Sequence, residues 1–202
     1  LLRDAGHEIV TVGVEAGRAV AGKRGREHVL VDARAADCDP AAFDAVVIPG
    51  GYSPDHLRTD AGVVTFLRSF GATGRTIAAV CHGPQLLIEA DLVRGRTVTS
   101  WPSVRKDLVN AGAAWVDRPV VEDANLITSR KPEDLEAFCA AILRRLAGHA
   151  HDASDGAGSS ADAWMRISTA YACVSLISQT MAAMPKRVMR RGDKSRVPVR
   201  ND

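Results

Sequence analysis

The segment Thr76-Ile77-Ala78-Ala79-Val80-Cys81-His82-Gly83-Pro84-Gln85-Leu86-Leu87-Ile88 changes character in its middle. The apolar run 77–80 has the length of a buried parallel strand. Pro84 suits the first turn of a helix, where its missing N–H would go unused. Cys81 therefore stands at a strand-to-helix corner. Read as small-x-nucleophile-x-Gly, residues 79–83 have the form of a nucleophile elbow, whose small neighbours let the backbone turn sharply and lift the side chain over the sheet. A sulfur near the positive end of a helix is biased toward thiolate. A buried structural cysteine is the other reading of the same residue.

The flanks carry the same alternation outward. Ala45-Val46-Val47-Ile48 runs into Pro49-Gly50-Gly51, a buried strand ending in a glycine pair. An α/β sheet presents free backbone N–H groups to a ligand at such a place. Thr59 and Asp60 can cap a helix reaching Phe70, with Val63, Phe66, Leu67 and Phe70 on one face. Further helices are predicted over 84–90 and 104–111, the second stopped by Gly112. A last one opens at Pro132, with Leu135, Phe138, Cys139, Ile142, Leu143 and Leu146 at helical spacing. Short strands are predicted at 8–14, 28–31, 97–100, 115–116, 120–121 and 125–128. Leu1 to Ala5 read as the last turn of a helix with Gly6 as its C′ residue. Strands and helices in this order give an α/β three-layer sandwich with a mostly parallel sheet.

From Gly148 the composition shifts. Residues 148–161 are small, polar and Gly/Ser-rich, a flexible linker between a domain at 1–147 and an appendage at 162–202. His149 and His151 in that linker read as solvated rather than as metal ligands. Asp162 can cap a helix over 163–184 whose stripe is Trp164, Ile167, Tyr171, Val174, Ile177, Ser178 and Met181. Pro185 ends it, and a basic, polar tail follows.

Composition excludes several classes. The net charge is +2, divided as 8 Lys/Arg against 5 Asp in 148–202 and 18 against 19 acids in 1–147, so nucleic acid is not expected as the partner. No apolar run approaches the roughly 18 residues of a membrane span, and no basic-then-apolar leader opens the chain. A cytoplasmic protein off the membrane is expected. The four cysteines, Cys38, Cys81, Cys139 and Cys173, show neither paired spacing nor CxxC, so neither a disulfide framework nor a zinc site is indicated.

A set of motifs, in order, resembles the PfpI family of intracellular proteases and stress-linked protein deglycases within the class I glutamine amidotransferase-like superfamily. They are Phe43-Asp44-Ala45, Pro49-Gly50-Gly51, Ser53-Pro54-Asp55, Cys81-His82-Gly83-Pro84-Gln85, Leu92-Val93-Arg94-Gly95-Arg96, Asn110-Ala111-Gly112-Ala113 and Thr128-Ser129-Arg130-Lys131-Pro132. The resemblance covers residues 1–147 and implies a flavodoxin-like sheet and a cysteine hydrolase acting on carbonyl adducts of proteins or on peptides. By resemblance, Cys81 is the nucleophile, His82 its acid/base, and the turns at Gly50, Gly51 and Gly83 line the oxyanion and substrate site, with N–H groups of Gly51 and His82 as donors. Asp55 is implied to reach His82 of a neighbouring copy in a homo-oligomer, a helix N-cap being its alternative reading.

This sequence also departs from that family. It begins past the family's first strand and helix, so the fold is expected N-terminally truncated, open where a central strand belongs, and without the Glu that contacts the nucleophile's sulfur. Glu8 and Glu15 cannot be given that role. A redox or stress sensor acting through Cys81, or an inactive truncated fusion, are the alternatives to a hydrolase. Residues 162–190 resemble an early helix of tailed-phage portal proteins, or are an ordinary amphipathic helix that packs on the domain or self-associates.

Overall fold

The computed structural model describes residues 1–21, 28–155 and 172–176. Residues 2–6 form a hydrogen-bonded turn where the last turn of a helix was expected: Gly6 has φ +88°, its N–H donates to the Arg3 carbonyl, and the His7 N–H donates to the Leu2 carbonyl. The strand β1 (Glu8–Gly13) follows, then a ribbon of β2 (Ala19–Ala21) and β3 (His28–Leu30), and the two-residue β4 (Ala33–Arg34). Next come β5 (Ala45–Ile48), α1 (Ser53–Leu57), α2 (Ala61–Ala72), β6 (Thr76–Val80) and α3 (Pro84–Glu89). Then β7 (Thr97–Val98), α4 (Arg105–Asn110), β8 (Ala114–Trp115), β9 (Val120–Asp123), β10 (Leu126–Ser129) and α5 (Leu135–Asp155) complete the alternation, with one more strand, β11 (Ala172–Leu176).

The main sheet has seven strands in the order β4-β1-β11-β5-β6-β10-β9. All neighbours are parallel except β9, which closes the edge antiparallel to β10. The apolar residues of successive strands alternate between two faces, as a period of two requires. Val46, Ile48, Ile77, Ala79 and Leu126 pack with Val63, Phe66, Leu67 and Phe70 of α2 and with Leu86 and Leu87 of α3. Ala45, Ala78, Val80 and Ile127 pack with Phe138, Ala141, Ile142 and Leu146 of α5. The expected three-layer α/β sandwich is therefore what the chain forms, with the sheet buried on both faces.

Asp60 caps α2 as its sequence predicts, its carboxylate accepting the Val63 N–H at 2.9 Å. Two expectations are corrected. The linker was expected to begin at Gly148, yet α5 continues through Asp155. One glycine costs a helix only about 1 kcal/mol relative to alanine, and Ala147, Ala150 and Ala153 around it are strong helix formers. The helix expected over 163–184 is overturned at Ala172–Leu176, which is a strand; the rest of that helix, and the tail after it, lie outside the described residues. Helical periodicity is a weak prior where a sheet offers two hydrogen-bonding rows, and here Val174 pairs with Val10 on one side and Val46 on the other. The central opening expected between β1 and β5 is thus occupied by β11.

A proline at the middle of β11 removes a ladder N–H and strands its acceptor, a loss of about 1–3 kcal/mol for a buried group. Val174→Pro is expected to lower the urea midpoint accordingly. Amide exchange in the unaltered protein should be as slow at 173–175 as at 46–48, and fast exchange at 173–175 would contradict the pairing.

Candidate functional site

Parallel strands put all their carboxyl ends on one edge, and the loops after β5, β6 and β10 meet there. Cys81 follows β6 with φ +63°, a left-handed conformation that non-glycine residues adopt at a cost of about 1–3 kcal/mol and hold only when the surroundings fix it. Three backbone bonds do so. The Cys81 N–H donates to the Ser129 carbonyl at 2.9 Å, the Gly83 N–H to Val80 at 2.8 Å, and the Trp101 N–H to the Cys81 carbonyl at 2.9 Å. The elbow read from residues 79–83 is therefore present.

The glycines around it have steric reasons. A Cβ on Gly50 would stand 2.6 Å from the Cβ of Cys81 and 3.2 Å from its sulfur, so the β5 turn lies directly against the thiol. A Cβ on Gly83 would stand 2.6 Å from the Ile48 carbonyl, which glycine alone permits at the start of α3. Gly51 has φ +80°, turning the chain into α1. Gly50 thus lies against Cys81, and Gly83 against the ends of β5 and β6.

The sulfur of Cys81 lies 3.2 Å from Nδ1 of His82. On the far side of the ring, Nε2 lies 3.3 Å from Oγ of Ser103, in the single turn Pro102–Val104. The imidazole is stacked against the Trp101 indole, with centroids 6.3 Å apart and planes at 26°. Trp101 and Ser103 were not singled out from the sequence. They follow β7 by a few residues, and only the fold brings them to His82.

The remaining motifs are supports. In Thr128-Ser129-Arg130, the Thr128 hydroxyl accepts the Thr99 N–H, the Ser129 hydroxyl donates to the Pro119 carbonyl, and Arg130 pairs with Asp134 and Asp117. Gly95 and Gly112 take positive φ where the α4 region returns to the domain, and the Gly95 N–H donates to the Gly112 carbonyl. Arg96 holds Asp123 and the Asn125 side chain.

Asp55 is exposed in the first turn of α1, where a negative charge suits the helix dipole; it sits inside the helix, so its reading as an N-cap is overturned. Glu15 pairs with Arg18 at the surface, and Glu8 opens β1 at the opposite edge of the sheet from Cys81, consistent with neither acting as the sulfur's carboxylate. Cys38 and Cys139 are half-buried, and burial pushes both thiols up, with Asp37 adding to the effect at Cys38. No helix among the described residues is long and apolar enough to cross a membrane.

Comparison with known proteins gives the family and agrees with the fold. The model of the DJ-1/PfpI family matches residues 1–145, and the chain belongs to that family. It is 48% identical over 145 residues to "Protein/nucleic acid deglycase 2" of Escherichia coli (strain K12), covering 71% of this chain and 84% of that protein. It is 47% identical over 135 residues to "Putative cysteine protease YraA" of Bacillus subtilis (strain 168), covering 67% and 79%. Among solved structures, a two-domain Anabaena variabilis protein with DJ-1/ThiJ/PfpI-like and ferritin-like domains superposes with a TM-score of 0.71 at 46% identity, covering 72% of this chain and 42% of that one. Drosophila melanogaster DJ-1beta gives 0.67 at 37% identity, covering 73% and 79%.

Iodoacetamide at neutral pH is expected to alkylate Cys81 before Cys38 and Cys139, read by peptide mass spectrometry. Gly50→Ala should slow the Cys81 reaction at least severalfold while leaving the other two unchanged.

Proposed function

We propose that this chain is a cysteine-dependent hydrolase of the PfpI type, acting on carbonyl adducts of proteins or on peptides. The observation that carries the reading is the Cys81 sulfur, lifted by a left-handed elbow and set 3.2 Å from the His82 imidazole beneath the Gly50-Gly51 turn. The names of the Escherichia coli and Bacillus subtilis relatives support the two substrate classes.

In this reading His82 takes the thiol proton at Nδ1, and the thiolate attacks the substrate's carbonyl carbon. An Sγ–C bond forms as the carbonyl π pair moves to oxygen, where the N–H groups of Gly51 and His82 receive the charge. Collapse of that intermediate expels the amine, which leaves with the proton from His82, and water then releases the second product and restores the thiol. Attack on an adduct carbonyl begins with the same bond. The exposed Asp55 is assigned to His82 of a neighbouring copy in a homo-oligomer, and the setting to cytoplasmic carbonyl stress. No metal or organic cofactor takes part.

The test is release of free amine from methylglyoxal-treated peptide, beside cleavage of an unmodified one. Cys81→Ser is expected to lose roughly three orders of magnitude or more in turnover. Equal turnover by wild type and Cys81→Ser would remove Cys81 from the mechanism. Asp55→Asn should lower kcat, by less than the roughly hundredfold or more that loss of the acid/base itself costs.

A further inference from the structure

An imidazole beside a thiol performs acid/base work only if it keeps one nitrogen on the sulfur. A histidine held at one nitrogen alone is free to rotate or to settle into the wrong tautomer. His82 is held from both sides. Its Nδ1 faces the Cys81 sulfur at 3.2 Å and its Nε2 faces the Ser103 hydroxyl at 3.3 Å, while the Trp101 indole covers one ring face. The segment that supplies these contacts is itself fastened to the nucleophile. The Trp101 N–H donates to the carbonyl of Cys81, and Val104, one residue past Ser103, is buried in the core.

From this geometry we infer that Ser103 is a positioning residue for His82, selecting the tautomer that leaves Nδ1 as the base. The inference rests on the reading of Cys81 and His82 as the reacting pair. With Ser103 Oγ accepting from Nε2–H, the lone pair of a neutral ring is on Nδ1, facing the thiol. When the proton moves, the S–H bond breaks and an Nδ1–H bond forms. The resulting imidazolium then donates to the thiolate through Nδ1–H, while Nε2–H still donates to Ser103. The same contact therefore serves both protonation states, and the ring need not turn between them. Trp101 restricts the ring from its face but exchanges no proton with it. Ser103 would thus supply within one chain the orientation that an acid from a neighbouring copy would otherwise have to give alone.

The experiment follows the rate of Cys81 alkylation by iodoacetamide against pH in the full chain, read by peptide mass spectrometry, for wild type, Ser103→Ala and Ser103→Thr. Ser103 is exposed, and the melting temperature of each variant confirms that it folds. The expected result is a wild-type profile that plateaus at a lower pH than those of Cys38 and Cys139. Ser103→Ala should shift that profile upward and slow alkylation about five- to tenfold below the plateau, the scale of one ordinary net hydrogen bond, with rates converging at high pH. Ser103→Thr, which keeps the hydroxyl, should restore the wild-type profile. A Ser103→Ala profile that overlays wild type, or one slowed equally at every pH, overturns the assignment. A wild-type Cys81 profile that itself matches Cys38 overturns the assignment together with the reading beneath it, and that outcome is distinguished because it needs no variant.

Discussion

The parallel pairing of β5 with β6 is the contact on which the site depends. It aligns Ile48 with Ala79, so both strands end at the same level and both must turn away from the same edge. One turn carries Gly50 and the other Cys81, and they end up within van der Waals reach because nothing larger than hydrogen stands on Gly50. Any slip of this register would carry the glycine turn away from the sulfur. The layers of helices on either face hold that register by burying Val46, Ile48, Ile77 and Ala79 on one side and Ala45, Ala78 and Val80 on the other. A strand shifted by one residue would exchange the side chains of its two buried faces and mismatch both helix layers. The precision of the site is therefore inherited from the hydrophobic pattern of two short strands.

Around that pair the loops are joined to one another through Cys81. The backbone N–H of Cys81 reaches across to β10, and the carbonyl of Cys81 receives the loop after β7. The left-handed backbone at Cys81 stays in place because both of its peptide groups are already committed. Cys38, Cys81 and Cys139 differ in the same terms. Cys38 and Cys139 sit where burial favours the neutral thiol, whereas Cys81 has an imidazole beside it and a helix start next in sequence.

Most of this could be read from residues whose constraints are local. The elbow shows itself in Ala79, Cys81 and Gly83 because a sharp turn tolerates few residue types. The α2 face shows itself in Val63, Phe66, Leu67 and Phe70 because packing imposes a 3.6-residue period. The Gly6 turn is legible for the same reason. Contacts made across the fold left no such mark. Ser103 and Trp101 meet His82 from about twenty residues away, and nothing in a Trp-Pro-Ser stretch specifies that encounter. The far end of α5 is hidden because residues 148–155 share the small, polar composition of a linker, although Ala147, Ala150 and Ala153 sustain a helix there. Ala172–Leu176 was missed because its residues satisfy a helical stripe as well as a strand, and only the two open rows of β1 and β5 decide between them.

That last strand also sets the order in which the molecule can assemble. Val46 and Val174 are neighbours in the sheet yet 128 residues apart in the chain. Closing so long a loop adds little to the entropic cost at equilibrium, since that cost rises only with the logarithm of length, but contacts of large sequence separation slow folding. β11 is the last of the seven strands to be synthesised. Until it arrives, β1 and β5 each carry an unpaired row of backbone donors and acceptors in the middle of the nascent sheet. Exposed strand edges of this kind recruit other chains, and β11 is the element that covers both rows in the folded sheet.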